Sequence, residues 1–190
     1  MVNDSFEDLV FETIDFEVTG LTKGAYEACT FIACNFSDTD LSRFRFTDCT
    51  FKDCNLSMVK LTLTVLNNTR FNACKLQGAS FESCDEFLFS SDFEDCILNF
   101  ASFYKRNLKN TTFKSCTLRE TDFVESDLSG INFDNCDLLG ARFDNTVLEK
   151  TDFRTAFNYS FDPERNRIRK AKFSTIGVAG LLNKYNIIIE

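Results

Sequence analysis

Large apolar residues recur at every fifth position along most of this chain. From Phe6 to Phe81 each fifth residue is Phe, Leu or Tyr, and from Leu88 to Phe153 the spacing continues two residues out of phase, with Leu and Phe alternating. Of the 30 positions so defined, 16 are Phe, 13 are Leu and one is Tyr26, an occupancy that excludes chance. A period of five fits neither an α-helix, at about 3.6 residues per turn, nor a plain strand, at about 2, so the chain reads as a repeat architecture. The residue two before each centre is mostly small or modest in size, as at Cys34, Cys54, Thr69, Ala79, Ala101 and Thr121. Side chains two apart in an extended segment point the same way, so this residue and the centre both face inward. The two residues after the centre are mostly Asp, Asn, Ser, Thr, Lys or Glu, which suit an exposed corner. Each pentad is one short side and one turn.

If four sides close a coil, equivalent positions recur every twenty residues and stack. The spacing then predicts one ladder of Phe93, Phe113, Phe133 and Phe153, an opposite one of Phe103, Phe123 and Phe143, and Leu ladders on the other two sides. Residues 6–153 supply about seven coils, a rod roughly 34 Å long at the ~4.8 Å spacing of strands. Each fully buried Phe or Leu contributes about 1.5–3 kcal/mol, opposed by the entropy of ordering the chain. The chain divides into a rod over residues 1–157 and a cap and dimerisation segment over residues 158–190.

The stretch FDNCDLLGARFDNTVLEKTDF resembles the pentapeptide repeat family, and the pattern covers about four fifths of the chain. The resemblance implies an all-β fold, a right-handed quadrilateral β-helix. Handedness and square section come from the resemblance alone.

All nine cysteines fall at the inward place two before a centre, or two before where the next centre would fall, so they read as small buried hydrophobes. The sequence has no His and no CxxC, and a row of thiols lacks the convergence that zinc needs, so no metal or other cofactor is expected. Without His, a P-loop or GxGxxG, the chain is not read as an enzyme and no small-molecule substrate is expected. An odd number of cysteines with no secretory signal pattern points to the reducing cytoplasm. Charged residues make up 26 percent and hydrophobic ones 44 percent, which suggests neither disorder nor a membrane span.

The formal net charge is −8. Residues 1–157 hold 26 acids and 15 bases, a balance that disfavours nucleic acid as a ligand and suits a basic, nucleic-acid-binding protein as partner. Acidity that merely keeps the rod soluble is the plainer reading.

Three places break the repeat. From Phe81 to Leu88 is seven residues instead of five, so a two-residue bulge is expected around Asp85, Glu86 and Phe87. Phe87 and Phe89 are then the aromatics least suited to burial in register, either exposed contact points or rings folded back on the rod. Phe44 is oversized for its inward slot, and Arg106 occupies another; burying an unpaired guanidinium is costly, so Arg106 is expected to turn outward. Either position marks a candidate bend.

After Phe153 the repeat decays. Asp162, Pro163 and Glu164 read as a capped turn, Ile168 and Phe173 return to the centre phase, and Ser174 or Thr175 begins a helix of about ten residues followed by a strand at 185–189. Ile176, Leu181, Leu182, Tyr185, Ile187 and Ile189 are too apolar for water, which points to a homodimer through the cap or to a purely intrachain cap. This cap, with DPERNRI, GLL, Lys184 and a terminal Ile run, looks like that of the gyrase-protecting branch of the family, the McbG, Qnr and MfpA proteins. That resemblance implies a dimeric rod that imitates DNA, binds DNA gyrase or topoisomerase IV, and guards it against a quinolone or peptide toxin. Asp134, Asp137 and Asp144 are the first candidate carboxylates for this contact, with Asp85, Glu86, Phe87 and Phe89 as a second group. The alternative is a generic scaffold for another protein interaction.

Overall fold

The computed structural model describes residues 4–188. Its strands are β1 (Asp4–Glu7), β2 (Val10–Glu12), β3 (Gly24–Glu27), β4 (Thr30–Ile32), β5 (Arg45–Thr47), β6 (Thr50–Lys52), β7 (Val65–Asn67), β8 (Thr69–Asn72), β9 (Ser91–Glu94), β10 (Thr112–Lys114) and β11 (Phe133–Asp134). All pair in parallel. The odd strands β1, β3, β5 and β7 form a four-stranded sheet, and β2, β4, β6, β8, β9, β10 and β11 form a seven-stranded one. Register advances by one coil at each step, Phe11 facing Phe31, Phe31 facing Phe51 and Phe113 facing Phe133. The other two sides are joined by single bridges such as Asn35 to Asn55 and Asp122 to Arg142. The result is a right-handed, four-sided parallel solenoid. Among the described residues no helix is long and apolar enough to cross a membrane.

The corners are made by the second residue after each centre. Asp8, Asp38, Asp48, Asp53, Asn135 and Asn145 there take φ between 52° and 56°, the left-handed region that Asn and Asp tolerate best. Their N–H groups donate to the next coil, as Asp8 does to the carbonyl of Glu27 at 3.1 Å. Met58, Leu63 and Phe100 adopt the same conformation, so the coil imposes it even where a side chain costs about 1–2 kcal/mol there.

Inside, Phe11, Phe31, Phe51, Phe71, Phe93, Phe113, Phe133, Phe153 and Phe173 form one unbroken stack, with centroids 4.8–5.5 Å apart. Phe81, Phe103, Phe123 and Phe143 stack on the opposite side at 4.6–5.4 Å. The two stacks meet edge to face across the axis, Phe93 and Phe103 at 6.0 Å and 77°. Leu98, Leu108, Leu118, Leu128, Leu138 and Leu148 are fully buried on the remaining sides. The small inward residues also bond the coil beneath: Cys54 Sγ donates to Phe31 O at 3.4 Å, Cys74 Sγ to Phe51 O at 3.3 Å, and Thr121 Oγ1 to Leu98 O at 2.9 Å. Cys and Thr therefore suit this place by size and by carrying one donor.

Four expectations are corrected. Phe44 is buried while the ladder of β3, β5 and β7 runs on unbroken beside it, its ring stacked on Phe46 at 5.9 Å. Leu88 is not a core centre; the N–H of Ser90 bonds Leu66 O at 2.9 Å, which sets Phe89 above Leu66 and leaves Leu88 exposed. Arg106 does not turn outward but is buried. In the cap, the turn at Pro163–Arg165 and the return of Phe173 onto Phe153 form as expected, but two short 3-10 turns, Gly177–Leu181 and Asn183–Tyr185, replace the long helix.

The glycines explain the cap. A Cβ at Gly180 would stand 2.1 Å from the Tyr159 carbonyl oxygen, and one at Gly177 2.2 Å from the Tyr159 hydroxyl. Close approach to Tyr159 needs residues that also weaken a helix. Leu181 is buried there, and Lys184 Nζ reaches Asp162 and Glu164, each at 2.7 Å. Ile187 and Ile188 lie in no strand, and Ile189 lies outside the described residues.

Phe123→Ala should destabilise the rod by about 3–5 kcal/mol, as a cavity in a close-packed stack demands. Urea unfolding measures it, and a loss below ~1 kcal/mol would contradict the stacked core. Gly180→Ala should lift the cap from Tyr159 and raise hydrogen exchange over residues 174–185 while the Phe stack stays protected; an unchanged exchange pattern there would refute the contact.

Candidate functional site

The bulge and Arg106, separate anomalies in the sequence, are one coil apart and complete each other. Between Cys84 and Ser91 the chain leaves the regular side, and the carbonyls of Cys84 and Asp85 have no regular partner. Arg106 Nη1 donates to Cys84 O at 3.0 Å and Nη2 to Asp85 O at 2.7 Å. The guanidinium lies over the Phe89 ring, 4.7 Å from its centroid. Phe89, at 7 % exposure, meets Phe81 edge-on at 6.1 Å, so it is not the exposed contact point envisaged for it. Phe87 is 86 % exposed. Its N–H is accepted by Asp85 Oδ1 at 3.0 Å, and a cleft of about 340 Å³ opens beside it between Leu63, Glu86 and Arg106.

The three carboxylates singled out in the later coils do not converge. Asp134, Asp137 and Asp144 lie on three different sides of the rod, and each is already engaged. Asp137 is 3 % exposed, accepting from Arg119 Nε at 2.7 Å and Asn158 Nδ2 at 2.8 Å. Burial alone would push its carboxyl up, yet the bonds from Asn158 and Arg119 hold it below the usual carboxylate value. Asp144 pairs with Arg165, and Asp134 accepts from Thr155 Oγ1 at 3.1 Å. Asp137 is therefore a tie between coils rather than an exposed charge.

The pairing is general in this half. Lys105 with Glu125, Lys109 with Asp127, Arg142 with Asp122 and Arg167 with Glu149 link successive coils at 2.6–3.4 Å. Among the described residues no ion pair involves a side chain before Glu94. The first two coils differ. Residues 1–40 carry nine acids and Lys23 as their one base, a net −8, while the remaining twenty acids are matched by the remaining twenty bases. All nine acids, from Asp4 to Asp40, are exposed. The full net charge of the chain thus sits at one end. The uneven charge is legible in the sequence, where residues 1–20 hold six acids and no base; what stacking adds is the pairing of the later charges between coils.

At the other end, Ile176, Tyr185, Ile187 and Ile188 are exposed, whereas Leu181 is buried and Leu182 half-buried against the rod. The nine cysteines are all buried and unbridged. Burial pushes the thiols of Cys49 and Cys84 up to about 12. Among the described residues no group of His, Cys, Asp and Glu is placed to hold a metal ion.

A family model described as a pentapeptide repeat region matches residues 25–86 and 87–157. No curated protein matches the sequence. Among solved structures, trypsin-treated QnrB1, a plasmid-mediated fluoroquinolone resistance protein, is 21% identical with a TM-score of 0.60, covering 98% of this chain and 92% of its own. HetL, a pentapeptide repeat protein involved in heterocyst differentiation regulation in the cyanobacterium Nostoc, is 12% identical with a TM-score of 0.68, covering 90% of this chain and 87% of its own. These likenesses establish shape.

The hydrogen bonds and charge of Arg154 hold Asp152 at about 2, and Asp137 is lowered as well. Both lie below the unfolded value of ~3.9, so the stability they add is complete above about pH 4 and is lost as pH falls toward 2. Melting temperature followed from about pH 6 to pH 2 should drop across that window, and Asp152→Asn should flatten the drop. The thiols should react with a maleimide only as the chain unfolds; rapid labelling of most of them in the folded protein would overturn the buried column.

Proposed function

Since the chain belongs to the pentapeptide repeat family, we propose that it is a non-enzymatic binding protein that imitates DNA, engages DNA gyrase or topoisomerase IV, and protects it from a quinolone or peptide toxin. The observation that carries this reading is the charge density of the first two coils. At ~4.8 Å per coil they rise about 10 Å, over which B-DNA presents about 6 charges; these coils present −8. The likeness to QnrB1 in shape supports the same direction. Mimicry is local: the acidic end matches DNA in charge, and the neutral remainder acts as a stiff spacer.

The exposed Ile176, Tyr185, Ile187 and Ile188 suit a two-fold pairing of caps. Such a homodimer would carry an acidic end at each extremity. The second reading, a scaffold for a different protein partner, is favoured by the ion pairs that neutralise carboxylates of the later coils.

Supercoiling by purified gyrase, with and without a quinolone, should be protected on titration with the protein, and binding should weaken as salt rises. Replacing Glu7, Asp8, Glu12 and Glu27 together by their amides should weaken binding about tenfold or more, while Asp134→Asn with Asp144→Asn should change it little. Wild-type behaviour from the fourfold variant would dismiss the acidic end, and an absence of salt-sensitive gyrase binding would leave only the scaffold. Light scattering should give twice the 21.8 kDa monomer mass, and Ile176→Asp should halve it; a monomer at micromolar concentration would end the dimer proposal.

A further inference from the structure

The loop at Asp85–Phe89 has properties that solenoid packing does not require. In the same inward slot the next coils carry Ser126 and Thr146, both buried without difficulty. Arg106 instead brings a charge to 6 % exposure and leaves its Nε with no hydrogen-bond partner, a costly choice for a slot that a hydroxyl fills. What that charge holds is the loop. Arg106 grips the carbonyls of Cys84 and Asp85, the N–H of Asp85 bonds Thr64 O at 2.9 Å, and Ser90 N bonds Leu66 O at 2.9 Å. The chain on both sides of Phe87 is fastened to the rod, yet the ring itself stands in water. With the backbone on both sides held, Phe87 has only its side-chain rotamer freedom to lose on binding, which favours a strong anchor.

Its surroundings define the partner. Leu63, 52 % exposed, lines the cleft together with Phe87, and Leu88, next to Phe87 in the chain, is 45 % exposed. Around the cleft stand the carboxylates of Glu82, Asp85 and Glu86. We infer that Phe87 is a preorganised knob, positioned by Arg106, that inserts into an apolar pocket of a protein partner whose rim carries Lys or Arg. The inference rests on the topoisomerase reading for the identity of that partner, and it places a second, short-range contact apart from the acidic end. Long-range attraction by the first coils then brings the partner in, and the knob fixes how it sits.

The chain contains no Trp, so Phe87→Trp creates a single fluorescent reporter. On titration with purified DNA gyrase its emission should shift to the blue and its quenching by acrylamide should fall. Phe87→Ala should weaken binding about tenfold or more with an unchanged melting temperature. Arg106→Met, which keeps an apolar stem in the slot, should weaken binding in the native background but add nothing to Phe87→Ala, the non-additivity expected of a residue that acts through another. If wild type binds gyrase while Phe87→Ala binds equally and the reporter does not respond, the knob is wrong and the topoisomerase reading stands. If wild type does not bind gyrase, both fall together.

Discussion

The backbone hydrogen bond between successive coils sets the rise of this molecule, and every other contact must work at that one repeat distance. Stacked strands stand ~4.8 Å apart. Aromatic rings stack comfortably at nearly the same separation, which is why nine Phe can lie on one another from Phe11 to Phe173 without a break. The thiol or hydroxyl two residues before a centre is short enough to fit between such layers and still donate to the carbonyl below. On the surface the same repeat places Lys and Arg of one coil beside carboxylates of the next. Core, ladder and ion pairs therefore strengthen together, and a rod with these properties is stiff by construction.

A lattice so regular makes departures costly, and the main one here is compensated locally. Adding two residues between Phe81 and Phe93 shifts the register from Phe71 to Phe93 without disturbing the Phe stack, whose spacing there is 5.1 Å. The disturbance is confined to the adjoining side, where Phe89 replaces the expected centre and Arg106 one coil later bonds the displaced carbonyls. Insertion and arginine form a unit. The core is conserved in geometry while one side of the rod gains an exposed aromatic on a rigid base.

The charges divide the rod in a similar way. Beyond Glu94 acids and bases are interleaved by coil and neutralise one another, each surface pair adding on the order of 0–1 kcal/mol. Among the described residues the carboxylates of the first two coils have no such partners, so their mutual repulsion is tolerated rather than relieved. Repulsion of that kind is relieved when a basic surface covers it. The acidic end and the apolar cap lie at opposite ends of the rod, an arrangement that would let one end engage the proposed partner while the other joins copies of the chain.

Most of the fold was legible in the chain itself, because a period of five with Phe or Leu at each centre and a small residue two earlier leaves few ways to bury the apolar set. The inward cysteines follow from counting alone, and the stack of Phe93, Phe113, Phe133 and Phe153 from counting together with the four sides that the family resemblance implies. Counting fails where a contact joins residues one coil apart that sequence treats as unrelated. It sent Arg106 outward because nothing adjacent in the chain pairs with it, and it put Leu88 rather than Phe89 in the core because phase was the only guide. It gave Asp137 to the solvent, since the partnership with Arg119 and Asn158 exists only between layers. The cap shows the same limit: apolar periodicity suggested a helix, and contact with Tyr159 chose turns at Gly177 and Gly180 instead. Periodicity determines what repeats along the chain, whereas the pairing of individual charges, loops and caps is decided by stacking, which brings together residues about twenty positions apart.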